Sequence, residues 1–153
     1  MKIKGEHMGQ ILNNRTLTPK KFFALPSPII LCVERPDFVK AINESGSETV
    51  TLNLPLAKTL VSSAIQDISA NVTTTVVNLL PAGQAVYLTD YEVLFDPRYK
   101  LDVIKLFCEI SRHKKLFVKW CGGFSNDSLI YAEPGFDDYA KYKVSDYDSI
   151  VLG

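Results

Sequence analysis

Apolar residues along this chain fall into two patterns. The first is the short, nearly unbroken run: Pro28-Ile-Ile-Leu-Cys-Val33, Ala85-Val-Tyr-Leu-Thr89, Leu116-Phe-Val-Lys-Trp120 and Ser149-Ile-Val-Leu152. Apolar runs without strict alternation predict strands covered on both faces, as in a parallel α/β sheet. The β-branched stretch Glu48–Leu54 and the short run Leu129–Ala132 add two more strands. The second pattern is a spacing of three and four, which lines up one face of a helix. Phe38, Val39 and Ile42 give such a face to a helix from Pro36 to Asn43. Leu56, Leu60, Val61, Ala64, Ile65 and Ile68 mark a longer helix opening at Pro55, and a weaker helical pattern runs from Asn71 to Leu80. Leu101, Ile104, Leu106, Phe107 and Ile110 mark another. Thr18 and Pro19 read as the cap and first position of a short helix that Phe22 and Phe23 pin to the core. Glu44–Ser47, Asp96-Pro97 and Glu133–Gly135 read as turns, and Cys121–Phe124 as a glycine loop. Strands alternating with helices predict a single three-layer α/β domain around a parallel sheet, residues 18–153, behind a flexible polar segment, residues 1–17.

Composition narrows the function classes only a little. With 46% hydrophobic residues in 153, the chain is long enough to build one core. Its 17 basic and 17 acidic residues cancel, so no global charge steers it toward nucleic acid. Cys32, Cys108 and Cys121 have no metal-site spacing and read as buried, reduced thiols. The two histidines, His7 and His113, have no metal partner at useful spacing. No run approaches the ~18 apolar residues of a membrane span, and Met1–Gly9 lacks the apolar stretch of a secretory signal, so a cytoplasmic protein is expected.

The candidate chemistry lies after the first long strand. The next eight positions occupy the slot of a Walker A loop, G-x-x-x-x-G-K-[ST], and read Glu34-Arg-Pro-Asp-Phe-Val-Lys-Ala41. A working loop cradles phosphate with backbone N–H groups, uses glycine for close approach, lysine for charge and a hydroxyl for magnesium. Here Glu34 would repel phosphate and Val39 replaces the second glycine. Ala41 replaces the hydroxyl and Pro36 deletes a donor. Only Lys40 stays in register. Asp90 closes a strand that resembles Walker B, where an acid would organise magnesium; its plainer reading is a strand-end carboxylate capping a loop. Arg112, Lys114 and Lys115 form a basic cluster with His113, either a nucleic-acid contact or charge complementing a helix end. Trp120, Gly122 and Gly123 fall at the carboxyl edge of the sheet with Asp90, a partner or residual ligand face on which Trp120 is a candidate partner or nucleic-acid contact, although an indole there more often packs than stacks on a base. The exposed-looking Tyr139, Tyr142 and Tyr147 suit an interface.

The runs Val86-Tyr-Leu-Thr-Asp-Tyr-Glu-Val-Leu-Phe-Asp-Pro97, Phe117-Val-Lys-Trp-Cys-Gly122 and Leu129-Ile-Tyr-Ala-Glu-Pro-Gly135, together with Leu52–Leu56, resemble the small P-loop protein of BREX phage-defence operons (BrxF-like). The resemblance covers residues 28–152. It implies an AAA-like P-loop fold and a role in cytoplasmic defence against phage, with Lys40 and Asp90 at the Walker lysine and aspartate positions. The chain departs from that family at Glu34, Val39 and Ala41. The expectation is therefore a degenerate, non-hydrolysing P-loop protein without a cofactor, assembling with other defence proteins. Two alternatives stand beside it. One is an unorthodox ATPase using Lys40 and Asp90 with ATP and magnesium, completed by Arg112 of a neighbouring subunit. The other is a DNA-binding accessory module using Arg112–Lys115.

Overall fold

The computed structural model describes residues 9–26, 28–61, 72, 74–81 and 85–153. Six strands form one wholly parallel sheet: β1 (Gln10–Leu12), β2 (Ile29–Leu31), β3 (Glu48–Thr51), β4 (Ala85–Thr89), β5 (Lys115–Lys119) and β9 (Ile150–Leu152). Their spatial order is β1-β9-β2-β5-β4-β3. A second, antiparallel sheet contains β6 (Gly123–Ser125), β7 (Ser128–Tyr131) and β8 (Ala140–Lys143). Five helices are described: α1 (Pro19–Phe23), α2 (Pro36–Glu44), α3 (Asn53–Val61), α4 (residues 74–79) and α5 (Val103–Ile110). Short 3-10 turns cover Asn14–Thr16, Glu92–Phe95, Pro97–Tyr99 and Val144–Asp146.

Alternate residues of each central strand enter different cores. Ile29 and Leu31, Tyr87, Phe117, Ile150 and Leu152 face α1 and α2 and meet Phe22, Phe38 and Ile42. Ile30, Val86, Leu88, Leu116, Val118 and Val151 point the other way, toward α3, α4, α5 and the small sheet. This two-sided burial is why these strands read as continuous apolar runs. On the first face Phe22 and Phe38 stack with ring centroids 4.3 Å apart, and Phe22 also meets Phe117 at 5.3 Å. On the second face Leu56, Ile104, Phe107 and Ile110 are fully buried. Thr18 caps α1, accepting from the Lys21 amide at 3.2 Å, and Asp102 caps α5 through the Lys105 amide at 3.1 Å.

Four expectations change. Residues 10–12 are not a loose tail: they pair in parallel with Ile150–Leu152, and Asn14 Nδ2 donates to the Gly153 carbonyl at 2.7 Å. The strand expected over Glu48–Leu54 ends at Thr51, because the Leu52 and Asn53 amides turn to the Asp90 carbonyl at 2.9 and 2.7 Å and α3 begins. The glycine loop after Trp120 contains β6, joined to β7 by an Asn126-Asp127 turn in which Asn126 takes φ 56°. The expected exposed tyrosines are not an exposed set. Tyr142 is buried in β8, and the half-buried Tyr147 donates to Asp102 Oδ2 at 2.7 Å. The part of the long helical pattern at residues 62–71 lies outside the described residues.

Candidate functional site

The segment after β2 starts as a bend and enters α2 at Pro36, with Arg35 as the capping residue but no side-chain cap. Arg35 instead clamps the helix start. Its Nε donates to Asp37 Oδ1 at 2.9 Å and its Nη2 to Oδ2 at 2.8 Å, a bidentate pair. Its Nη1 reaches the Asn14 carbonyl at 2.7 Å and Asn14 Oδ1 at 3.1 Å, and the guanidinium lies 3.9 Å from the centre of the Phe38 ring. The hydrogen bond from Arg35, with its charge, holds the Asp37 carboxyl below its ordinary range. Two amides at the start of α2 are occupied. Phe38 N–H donates to Asp37 Oδ1 and the Arg35 carbonyl, both at 3.0 Å, and Val39 N–H to the Arg35 carbonyl at 3.2 Å. No residue from Cys32 to Ala41 takes positive φ, so the alternating backbone that makes an anion nest is not formed there.

Beside this clamp lies a cleft of about 680 Å³. One wall is a flank of α2, where Pro36, Val39, Lys40 and Asn43 share a stripe at helical spacing. The floor is made by Leu31 of β2, Lys119 of β5, and Tyr87 and Thr89 of β4. Strand register puts these side chains on one face: Leu31 pairs with Lys119, and Tyr87 with Phe117. Glu34 stands at the loop end and Glu44 at the last residue of α2, both exposed. Burial, and then the negative charge of Glu34, push the Tyr87 phenol above its ordinary value. The cleft sits at the carboxyl ends of β2, β5 and β4. The chain leaves β2 toward β3 on one side, whereas it leaves β5 toward β9 on the other. Ligand crevices in open parallel sheets form at such a reversal.

Lys40 lines this cleft, but Asp90 does not. Asp90 takes φ 48°, and its carbonyl receives the two amides that open α3. Thr89, one residue earlier, is the β4 terminus that faces the cleft. Nearby, Asn53 fastens α3 to the turn after β4: its Nδ2 donates to Glu92 Oε1 at 2.9 Å and its Oδ1 accepts from Val93 N–H at 2.8 Å. Glu92 is thus an exposed carboxylate that accepts from Asn53.

The basic cluster lies at the opposite, amino end of β5 and is not gathered on one surface. Lys114 Nζ donates to the Pro81 carbonyl. Lys115 Nζ donates to the Leu25 carbonyl at 2.7 Å and sits about 5.5 Å from the Phe23 and Phe117 ring centres. Burial pulls its ammonium below the ordinary lysine value. Arg112 is exposed. Trp120 is buried at 6% exposure, donates Nε1–H to the Gly123 carbonyl at 2.8 Å, and is boxed edge-on by Phe95 and Tyr142. Its faces are therefore spent on packing rather than offered to a base. Gly122 is required for a different reason: a β-carbon there would run into the Ile130 carbonyl of β7. The three thiols are free and half-buried, and burial raises Cys32 to about 12 and Cys108 and Cys121 to about 11. Among the described residues no His/Cys/Asp/Glu group could hold a metal ion, and no helix is long and apolar enough to cross a membrane.

Sequence reasoning missed the Arg35–Asp37–Asn14 clamp and the Asn53–Glu92 fastening; the Arg35–Asp37 pair is local, whereas the links from Arg35 to Asn14 and from Asn53 to Glu92 join segments distant in sequence. It also missed Tyr87, Thr89 and Lys119, although their place at the carboxyl ends of strands was the available signal. Comparison of the chain with family models, curated proteins and solved structures finds no match.

Proposed function

We propose that this chain is a P-loop-type α/β protein whose triphosphate site has been dismantled. It acts as a non-hydrolysing assembly or regulatory subunit of a bacterial anti-phage, BREX-like defence complex. The parallel sheet with β2 near its centre, followed directly by α2, supports the scaffold part of this reading. One observation carries the loss of the nucleotide: Arg35 and Asp37 close the start of α2 on themselves, and the Phe38 and Val39 amides are already bonded. A triphosphate would have to break that bidentate pair and approach Glu34 as well. Lys40 lines the cleft and Asp90 does not, which supports the same reading. The defence role follows from the sequence resemblance.

Isothermal titration with millimolar ATP and magnesium tests the first part. No heat of binding is expected, and none should appear in Lys40→Ala either. Magnesium-dependent binding that Lys40→Ala abolishes would overturn it. The assembly role is tested by tagging the protein in its own host. Co-purification of a stoichiometric partner encoded beside it is expected, and recovery of the chain alone counts against the role.

A further inference from the structure

An assembly role gives no use to the cleft between α2 and the ends of β2, β5 and β4, yet its construction is that of a small-molecule site. Its volume of about 680 Å³ falls within the ~300–1,000 Å³ typical of such sites. Its surface is apolar where Leu31, Val33, Val39 and Tyr87 meet, with a few polar groups set around them. The charges are not equivalent. Lys119 belongs to the floor, on the same sheet face as Leu31 and Tyr87, and Lys40 to the α2 wall. Neither ammonium has a hydrogen bond or ion pair among the described residues. Arg35, the third cation of the lining, is already neutralised by Asp37. Glu34 and Glu44 stand at the two ends, exposed, where water and salt screen them. A bound body therefore meets a cation beneath it, and its acid group must point away from Glu34, whose charge reaches the Tyr87 phenol.

The geometry points to a ligand with a flat, mostly apolar body of one or two rings and a single carboxylate. The ring would lie on Tyr87 and Val39, and the carboxylate would be shared by Lys119 and Lys40. Two marginal glutamates make a polyphosphate or a dicarboxylate a poor fit. This assignment does not depend on the defence role, and it differs from a nucleotide site in both charge and lining.

Amide-proton/nitrogen NMR titration of the full chain tests it, with indole-3-propionate as probe. Its primary amide serves as the neutral isostere and tryptamine as the cation. The acid is expected to shift the backbone signals of Leu31, Val39, Thr89 and Lys119. It should bind about fivefold or more tighter than the amide, the scale of one charge-assisted contact at a partly wet site. Lys119→Gln should remove most of that preference and Lys40→Gln part of it; both side chains are exposed, so the fold tolerates the changes. Shifts that fall outside the cleft would overturn the assignment. So would equal binding of acid and amide, as expected of a cleft made for a partner's apolar side chain. Tighter binding of tryptamine, or a preference that survives both substitutions, would overturn it too.

Discussion

Tyr91 offers the sharpest test of how the carboxyl edge of the sheet is held. The side chain is fully buried just after β4, and its hydroxyl donates to the Lys119 carbonyl at the end of β5 at 2.7 Å. Its ring meets Phe107 edge-on at 5.3 Å. In Tyr91→Phe the ring packing is kept and only the hydroxyl is lost. A neutral hydrogen bond contributes about 0.5–1.5 kcal/mol net, and the part-buried Lys119 carbonyl left without its donor adds a fraction of the about 1–3 kcal/mol that a fully buried one costs. The variant should therefore lose about 1–2 kcal/mol, which lowers Tm by roughly 2–8 °C for a chain of this size. Urea unfolding followed by far-UV circular dichroism gives the same quantity as a fall in midpoint at unchanged slope. Because Lys119 belongs to the cleft floor, the NMR signals of Leu31 and Thr89 should move as well. A loss under ~0.5 kcal/mol with those signals unmoved would refute the claim that this hydroxyl ties the two strand ends together.

Two other outcomes follow from the same structure. The folded-state values of Cys32, Cys108, Cys121 and Tyr142 all lie above the ordinary ones, at about 12, 11, 11 and 12, chiefly through burial. Folding then keeps protons that the unfolded chain releases, so stability is whole below the unfolded thiol value of ~8.5 and falls as pH rises toward 11–12. Thermal melts from pH 7 to 11 should show that decline, and Cys32→Ser should flatten it; a Tm that holds or rises over this range would contradict the burial of these groups. Asn53→Ala removes both bonds that fasten α3 to the turn after β4 and should cost about 1–2 kcal/mol by urea unfolding, whereas Asn53→Asp, which keeps only the acceptor for Val93 N–H and faces Glu92, should recover little of it.

The parts of the fold legible in the sequence are those where burial acts on both sides of one element. Ile29–Leu31, Ala85–Thr89 and Lys115–Lys119 read as strands because two cores claim alternate residues. The stripe Phe38 and Ile42 placed α2, and its observed span, Pro36–Glu44, differs from the expected one by a residue. What stayed hidden depends on partners far along the chain. Ile11 and Leu12 are an apolar pair in a polar stretch, and they become a strand only because Ile150–Leu152 lies beside them. β8 carries a period of two in Lys141-Tyr142-Lys143, a signal overshadowed by the acidic loop before it. Trp120 and Tyr142 looked available for recognition because nothing local covers them; the cover comes from Phe95 and from each other. At the site, the loss of the glycine cradle was plain from Glu34, Pro36 and Val39. That Asp37 would recruit Arg35, and Arg35 in turn Asn14, depends on the fold bringing residues 14 and 35 together.

The strand order also sets a timetable for the ribosome. β2 has β9 on one side and β5 on the other, and both come from the last third of the chain. Until residues 115–119 emerge, Ile29–Leu31 has no neighbour, and β9 completes the sheet only with residues 150–152. A nascent chain must therefore carry this apolar segment unpaired until β5 has been made. Chaperone shelter would matter most in that interval, and any product cut short before β5 would leave that segment bare.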